Sequence, residues 1–214
     1  MRKKLTKIFL VWVCLFVVWT MYRYFFTLPE AVEEFLVKPA IWLGLIFSVV
    51  LFIEKKPLFS LGLSGKNFYR NVYIGLGLGT LFALEGVIVN YLKYGKTSFL
   101  TPTANTNEFL LLFVMSFATG LTEEIVSRGY FMNRLWEIIR FETAANLVSS
   151  LMFTVIHLPI AIFALHYGAF DLVIYLWTIF LLGLADGYVF ARTKTVVAPT
   201  ITHTMWNLSI VLFR

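Results

Sequence analysis

Charge is scarce in this chain. Only 14% of its 214 residues are Asp, Glu, Lys or Arg, against 59% hydrophobic residues, and the mean hydropathy is +0.81. A polypeptide of this kind has too little polar surface to cover a water-soluble domain, so its solvent is lipid. Cysteine is nearly absent: Cys14 stands alone, which excludes an internal disulfide, a thiolate metal cluster and a Cys pair for redox work. The net charge is +6, yet the basic residues are scattered between apolar runs instead of gathered on one stripe, which argues against nucleic acid as a partner. No internal repeat is visible, and with it go the paired half-repeats of many transporters. Gly75, Gly77 and Gly79 alternate as in a dinucleotide fingerprint, but they sit in an apolar helix and Thr80 stands where the last glycine belongs.

What is present is a series of apolar runs. They cover residues 8–26, 39–53, 72–92, 107 into the 120s, 146–165, 172–191 and 196–213. At about 20 residues per crossing, this predicts an all-α, polytopic bundle of about seven transmembrane helices. The first run follows Arg2, Lys3, Lys4 and Lys7, as a signal peptide would. It is too long for one, and ends in Tyr22, Arg23, Tyr24, Phe25 and Phe26 where a cleavage site needs small residues, so it reads as a retained helix. The second run is short and needs its acidic approach, residues 33–38, to complete a tilted helix. Asn107 and Glu108 open the fourth, where a capping side chain and a negative charge suit a helix N-terminus. Gly75 and Gly79, like Gly183 and Gly187, are four apart and allow close helix approach.

Loop charges set the orientation, because Lys and Arg resist translocation. The end of the bundle that holds the N-terminus carries Arg2, Lys3, Lys4, Lys7, Lys55, Lys56, Lys66, Arg70, Arg128, Arg134, Arg140, Arg192 and Lys194. The other end carries Arg23, Lys38, Lys93, Lys96 and Arg214. Thirteen against five predicts a cytoplasmic N-terminus and, with seven spans, an outer C-terminus.

Ionisable groups at membrane depth cost at least about 2.5–3.5 kcal/mol each and need a partner or a task. The candidates are Glu85, Glu123, Glu124, His157, Asp186 and His203, with Arg128 at the cytoplasmic margin of the fourth helix. In GLTEEIVSRGY, residues 120–130, Glu124 and Arg128 are four apart and can neutralise each other. Glu123 is turned by about 100° and is left free for chemistry. The plainer reading is that both acids pair with Arg128 at the headgroup boundary. FTVIH places Phe153 and His157 on one helical face, with Pro159 loosening the helix just beyond. Taken alone, such a histidine is a hydrogen-bonded core group. HTMWN places His203 and Asn207 four apart, a pair that also serves as interhelical glue.

Together these residues supply what hydrolysis inside a membrane requires: a base for water, a group to orient that base, and donors for the anionic oxygen of a tetrahedral intermediate. Two histidines and a glutamate are also zinc ligands, although they lie on three separate helices and no HExxH helix exists. Intramembrane acids would suit a proton-coupled carrier too, with Glu85 and Asp186 as relay candidates.

The segments GLTEEIVSRGY, FTVIHLP and ITHTMWN, in that order, resemble the EExxxR, FxxxH and HxxxN motifs of the CAAX prenyl protease family, also called the Abi or CPBP family. The stretch GLADGYVFARTKTVVAPTITH is similar to the family's Gly-rich helix and Arg-Thr loop before its last histidine. The resemblance covers residues 107–209 and leaves the first three helices unaligned, which divides the chain into N-terminal helices over 1–106 and a catalytic region over 107–214 within one membrane-embedded domain. It implies a polar intramembrane cavity and an intramembrane endopeptidase acting on a peptide or protein substrate at the bilayer of a prokaryotic plasma membrane. By the same resemblance Glu123 and His157 activate water, His203 and Asn207 stabilise the oxyanion, and Glu124, Arg128 and Phe153 support the site, without a metal and with zinc as the alternative. A non-catalytic membrane regulator or bacteriocin-immunity protein is the competing function. The loop charges place Glu123 nearer the cytoplasmic face, so the scissile bond is expected to be approached from the side of the N-terminus.

Overall fold

The computed structural model describes residues 2–95 and 106–212, and among these there is helix but no strand. Helix α1 spans Arg2–Phe25, α2 Glu30–Ile53, α3 Phe68–Tyr94 and α4 Asn107–Ile139. The next crossing, Glu142–Phe163, is split into α5 (Glu142–Val155) and α6 (Leu158–Phe163). Helices α7 (Ala169–Thr193) and α8 (Val197–Leu212) complete the bundle. Six crossings are long and apolar enough to span a bilayer, and α8 adds a seventh helix of 16 residues. Phe213, Lys96 and Arg214, which belong to the expected seventh run and the outer charge count, lie outside the described residues.

Two runs are longer than their hydropathy suggests. Helix α2 starts at Glu30 and takes in the acidic approach as a π-helical stretch, Glu33–Val37. Helix α4 does not stop in the 120s. It continues through a π-helical stretch, Ile125–Met132, and on to Ile139. Hydropathy falls there because Arg128 and Arg134 intervene, but both are buried against protein and the backbone stays hydrogen-bonded. The fifth crossing breaks at His157, after which Pro159 opens α6 at a position where the missing amide proton costs nothing.

The distribution of polarity is inverted relative to a soluble protein. Phe9, Leu10, Leu81, Ile88, Phe170 and Trp177 are exposed, whereas Arg23, Glu33, Lys38, Glu123, Glu124, Arg128 and Asp186 are buried. Lipid takes the apolar surface at no cost, so the charged groups have only one another to pair with. At the end of the bundle that holds the N-terminus, Glu54 clasps three elements: it meets Lys7 of α1 at 3.3 Å and Arg134 of α4 at 2.9 Å. Burial opposes ionisation there, but the Arg134 guanidinium and Lys7 ammonium prevail and hold the Glu54 carboxyl below its ordinary range.

Helix α8 packs along α3 through small residues. A Cβ at Gly75 would lie 2.7 Å from Ile201 Cβ and 2.8 Å from Ala198 O, whereas one at Gly77 would meet nothing within 4 Å. Close approach therefore requires glycine at position 75 and not at 77. Gly75→Ala is expected to destabilise the detergent-solubilised protein by about 1–3 kcal/mol through overpacking. Gly77→Ala should be neutral or stabilising by about 0.5–1 kcal/mol. Thermal unfolding followed by loss of monodisperse protein measures both.

Candidate active site

Five stretches of chain meet around one cavity of about 220 Å³. They are the first turns of α2, the first half of α4, the α5–α6 break, the first half of α7 and the second half of α8. Glu123, Phe153, His157, His203 and Asn207 all line it, so the residues singled out from three separate sequence segments share one space.

Glu123 stands at the centre, 3% exposed. Its Oε2 is 3.5 Å from His157 Nε2 and 3.6 Å from His203 Nε2. The His157 ring has a defined tautomer, since its Nδ1 lies 2.7 Å from the Phe153 carbonyl oxygen. A carbonyl only accepts, so Nδ1 carries the proton, and in the neutral ring Nε2 turns a lone pair toward the glutamate. Two acceptors at this distance can share one molecule that donates twice from beside the line joining them, on the cavity side. The helix break supplies the geometry, because His157 at the turn between α5 and α6 reaches back to the carbonyl four residues earlier.

Behind this pair lies a second polar layer. Arg128 Nη1 donates to Glu124 Oε1 at 2.9 Å, and Arg128 Nη2 donates to the Gly183 carbonyl at 2.8 Å. The same Glu124 oxygen is 2.9 Å from His203 Nδ1, so a glutamate of α4 fixes a histidine of α8. The Phe153 ring forms the wall between the layers: the Arg128 guanidinium lies 4.6 Å from its centroid, and the His157 ring meets it edge-on at 4.7 Å. Asp186 is wholly buried beside this layer, and its carboxyl oxygens find no hydrogen-bond partner among the described residues. Glu85 sits exposed on α3, outside the cavity.

Three expectations need correcting. Arg128 is not at the margin of its helix; it is 1% exposed inside the bundle, and α4 continues past it to Ile139. Glu123 is not free of cations either. Lys38 Nζ donates to Glu123 Oε1 at 3.0 Å and to both Glu34 oxygens at 2.8 and 2.6 Å. Thr119 Oγ1 donates to Glu34 Oε2 at 2.5 Å. Hydropathy assigns Lys38 to an outer loop, and the signal that could have moved it inside is the i, i+4 spacing of Glu34 and Lys38 directly before an apolar run. Finally, the cavity does not open toward the end that holds the N-terminus. From Glu123 it leads past Thr119 and Leu112 of α4 to exposed Glu30 and Ile210, which mark the end where α1 finishes.

Glu123 Oε2, His157 Nε2 and His203 Nε2 have the atom types of zinc ligands. Glu123 Oε2 lies 3.5 and 3.6 Å from the two nitrogens, near the roughly 3.4 Å between ligands of a tetrahedral zinc with bonds of about 2.1 Å, but the three do not all gather within 4.8 Å of one another. In donor set the residues suit the metal; in mutual spacing they do not. Among the described residues, the group whose ligand atoms all lie within 4.8 Å of one another is Glu124, Asp186 and His203. There, however, Glu124 Oε1 already accepts from Arg128.

Residues 105–209 match the family described as type II CAAX prenyl endopeptidase Rce1-like. No curated protein matches the chain. The matched stretch includes every motif residue named above and excludes α2, so the Lys38 contact to Glu123 comes from outside it.

Glu124→Ala leaves the Arg128 guanidinium buried without its carboxylate. A loss of about 3–5 kcal/mol in unfolding free energy is expected in detergent, with part of it restored in the Glu124→Ala/Arg128→Ala double variant. Equal stability of the parent and Glu124→Ala would contradict the pairing.

Proposed function

Over residues 105–209 this chain belongs to the type II CAAX prenyl endopeptidase Rce1-like family, and from that premise we propose that it is an intramembrane endopeptidase in which Glu123 and His157 activate the attacking water. The observation that carries the reading is the pair of acceptors, Glu123 Oε2 and His157 Nε2, set 3.5 Å apart at the inner end of the cavity.

A water in the cavity beside them donates one hydrogen to each. Glu123 takes a proton as the water oxygen bonds to the scissile carbonyl carbon, and the carbonyl π electrons move onto its oxygen. Asn207 offers an amide N–H to that oxyanion. His203 offers a second donor from Nε2 when both ring nitrogens are protonated, its charge balanced by Glu124 at Nδ1. The proton held by Glu123 then passes to the amide nitrogen, the C–N bond breaks, and a carboxylic acid and an amine leave. Lys38 keeps its hydrogen bond to the other oxygen of Glu123 throughout. This favours an ionised base in a site shielded from water.

A metal reading is favoured by the donor types of Glu123, His157 and His203 alone. If zinc were bound it would polarise the carbonyl and lower the pKa of a bound water. The metal-free reading is preferred because the Lys38 ammonium already neutralises the carboxylate that a dication would need. A non-catalytic regulator or immunity protein would have no need of the full motif set around a cavity, which supports an enzyme. The placement in a prokaryotic plasma membrane, with the N-terminus in the cytoplasm, belongs to the same proposal.

In liposomes with a quenched fluorogenic peptide library, Glu123→Gln is expected to lower kcat by at least about a hundredfold. Asn207→Ala should lower it by about 10²–10³ with little change in KM. Cleavage surviving in Glu123→Gln would remove that residue from its role, and loss of the parent's activity on adding a strong zinc chelator would replace the metal-free reading with the metal one.

A further inference from the structure

We infer that the active cavity is reached from the extracytoplasmic side, so that the substrate is a peptide segment lying at or beyond the outer leaflet: an exported peptide, or the outer end of a membrane protein. The inference rests on the proposed peptidase reading for its chemistry, but its geometry stands on two separate observations.

The first is where the cavity lies along each helix. Antiparallel crossings alternate in direction, so the start of α2, the first halves of α4 and α7, the end of the α5–α6 crossing and the second half of α8 all occupy one half of the bundle. These are the stretches that line the cavity, with Glu30, Leu112, Ile160, Tyr175 and Ile210 as their representatives. It is the half toward which α1 runs, away from Arg2. From Leu112 to Glu123 the helix descends roughly 16 Å, so the reacting carboxylate lies well below that rim. Toward the other half the way is closed by the Arg128–Glu124–His203 layer, in which Arg128 and Glu124 are 1% and 0% exposed.

The second is charge. The structure removes four residues from the loop comparison: Arg128 is buried in the bundle, Arg134 against Glu54, Arg23 against Glu33, and Lys38 against Glu34 and Glu123. What remains among the described residues is eleven basic residues at the end that holds the N-terminus against Lys93 at the other. An asymmetry of this size places the N-terminal end in the cytoplasm and the cavity mouth outside. A cytoplasmic protein tail would meet the closed end of the bundle, whereas a segment on the outer side needs only to enter between α2, α4 and α8.

The test places single cysteines in a full-length Cys14→Ser background expressed in bacterial cells. Leu112→Cys lies on the cavity wall, Glu30→Cys at its rim, and Gly65→Cys at the opposite end, where a side chain meets nothing within 4 Å. A membrane-impermeant maleimide applied to intact cells is expected to label Leu112→Cys and Glu30→Cys, and to label Gly65→Cys only after permeabilisation. The reverse pattern overturns the inference; if Leu112→Cys reacts from neither side, Glu30→Cys alone decides it in the same way. A fluorogenic peptide library added to sealed vesicles provides a second readout, with Glu123→Gln as background. Glu123-dependent cleavage in right-side-out vesicles supports the inference, and cleavage confined to inverted vesicles overturns it while leaving the peptidase reading intact. Absence of Glu123-dependent cleavage in both contradicts the peptidase reading, and the labelling pattern still decides the sidedness of the mouth.

Discussion

The contact on which the site depends is the one between the Lys38 ammonium and the Glu123 carboxylate, 3.0 Å apart and both buried. An isolated carboxylate inside a bundle in lipid would protonate sooner than remain charged, and a protonated glutamate cannot accept a proton from water. A cation held against one oxygen leaves the other ionised and unpartnered, facing the cavity. Glu34 then balances the lysine, and Thr119 satisfies Glu34. Each charge thus depends on the next, a closed set with no bulk water to fall back on.

This dependence explains why helices that share no motif are packed together. Helix α2 contributes nothing to the matched family segment, yet it provides the cation and its counterion. Helix α8 gives the second imidazole, and α4 orients it through Glu124. The glycine contacts of α8 with α3 fix its height, and the break at His157 sets the other ring. Because the layer below the cavity is filled by Arg128, Glu124 and the Phe153 ring, the polar space opens in one direction only, and the chemistry and the route of access follow from the same packing.

Much of this was legible in the sequence. The pairs Glu124/Arg128, Phe153/His157 and His203/Asn207 stand four apart, so each places its two members on one helical face, and at membrane depth such pairs have few explanations other than a shared polar site. The first helix, the seven-helix count and the break near Pro159 follow from run length and proline chemistry. Lys38 was not legible as a site residue, because hydropathy treats a lysine before an apolar run as an interfacial anchor and has no term for a partner 85 positions away. Arg128 and Arg134 mislead in the same way: they lower the hydropathy of α4 and suggest its end, although burial against protein and a π-helical stretch carry the helix through. The direction of the cavity could not be read from motif order, since it depends on which half of each helix lines the space.

The most direct test of this account is a double-mutant cycle on stability between Lys38→Met and Glu123→Gln, measured by thermal unfolding of the purified protein in detergent. The account predicts a coupling of at least about 1 kcal/mol, with the double variant more stable than the two single losses would sum to. Strictly additive losses would mean that the two charges do not sense each other, and that Glu123 is held ready by something else.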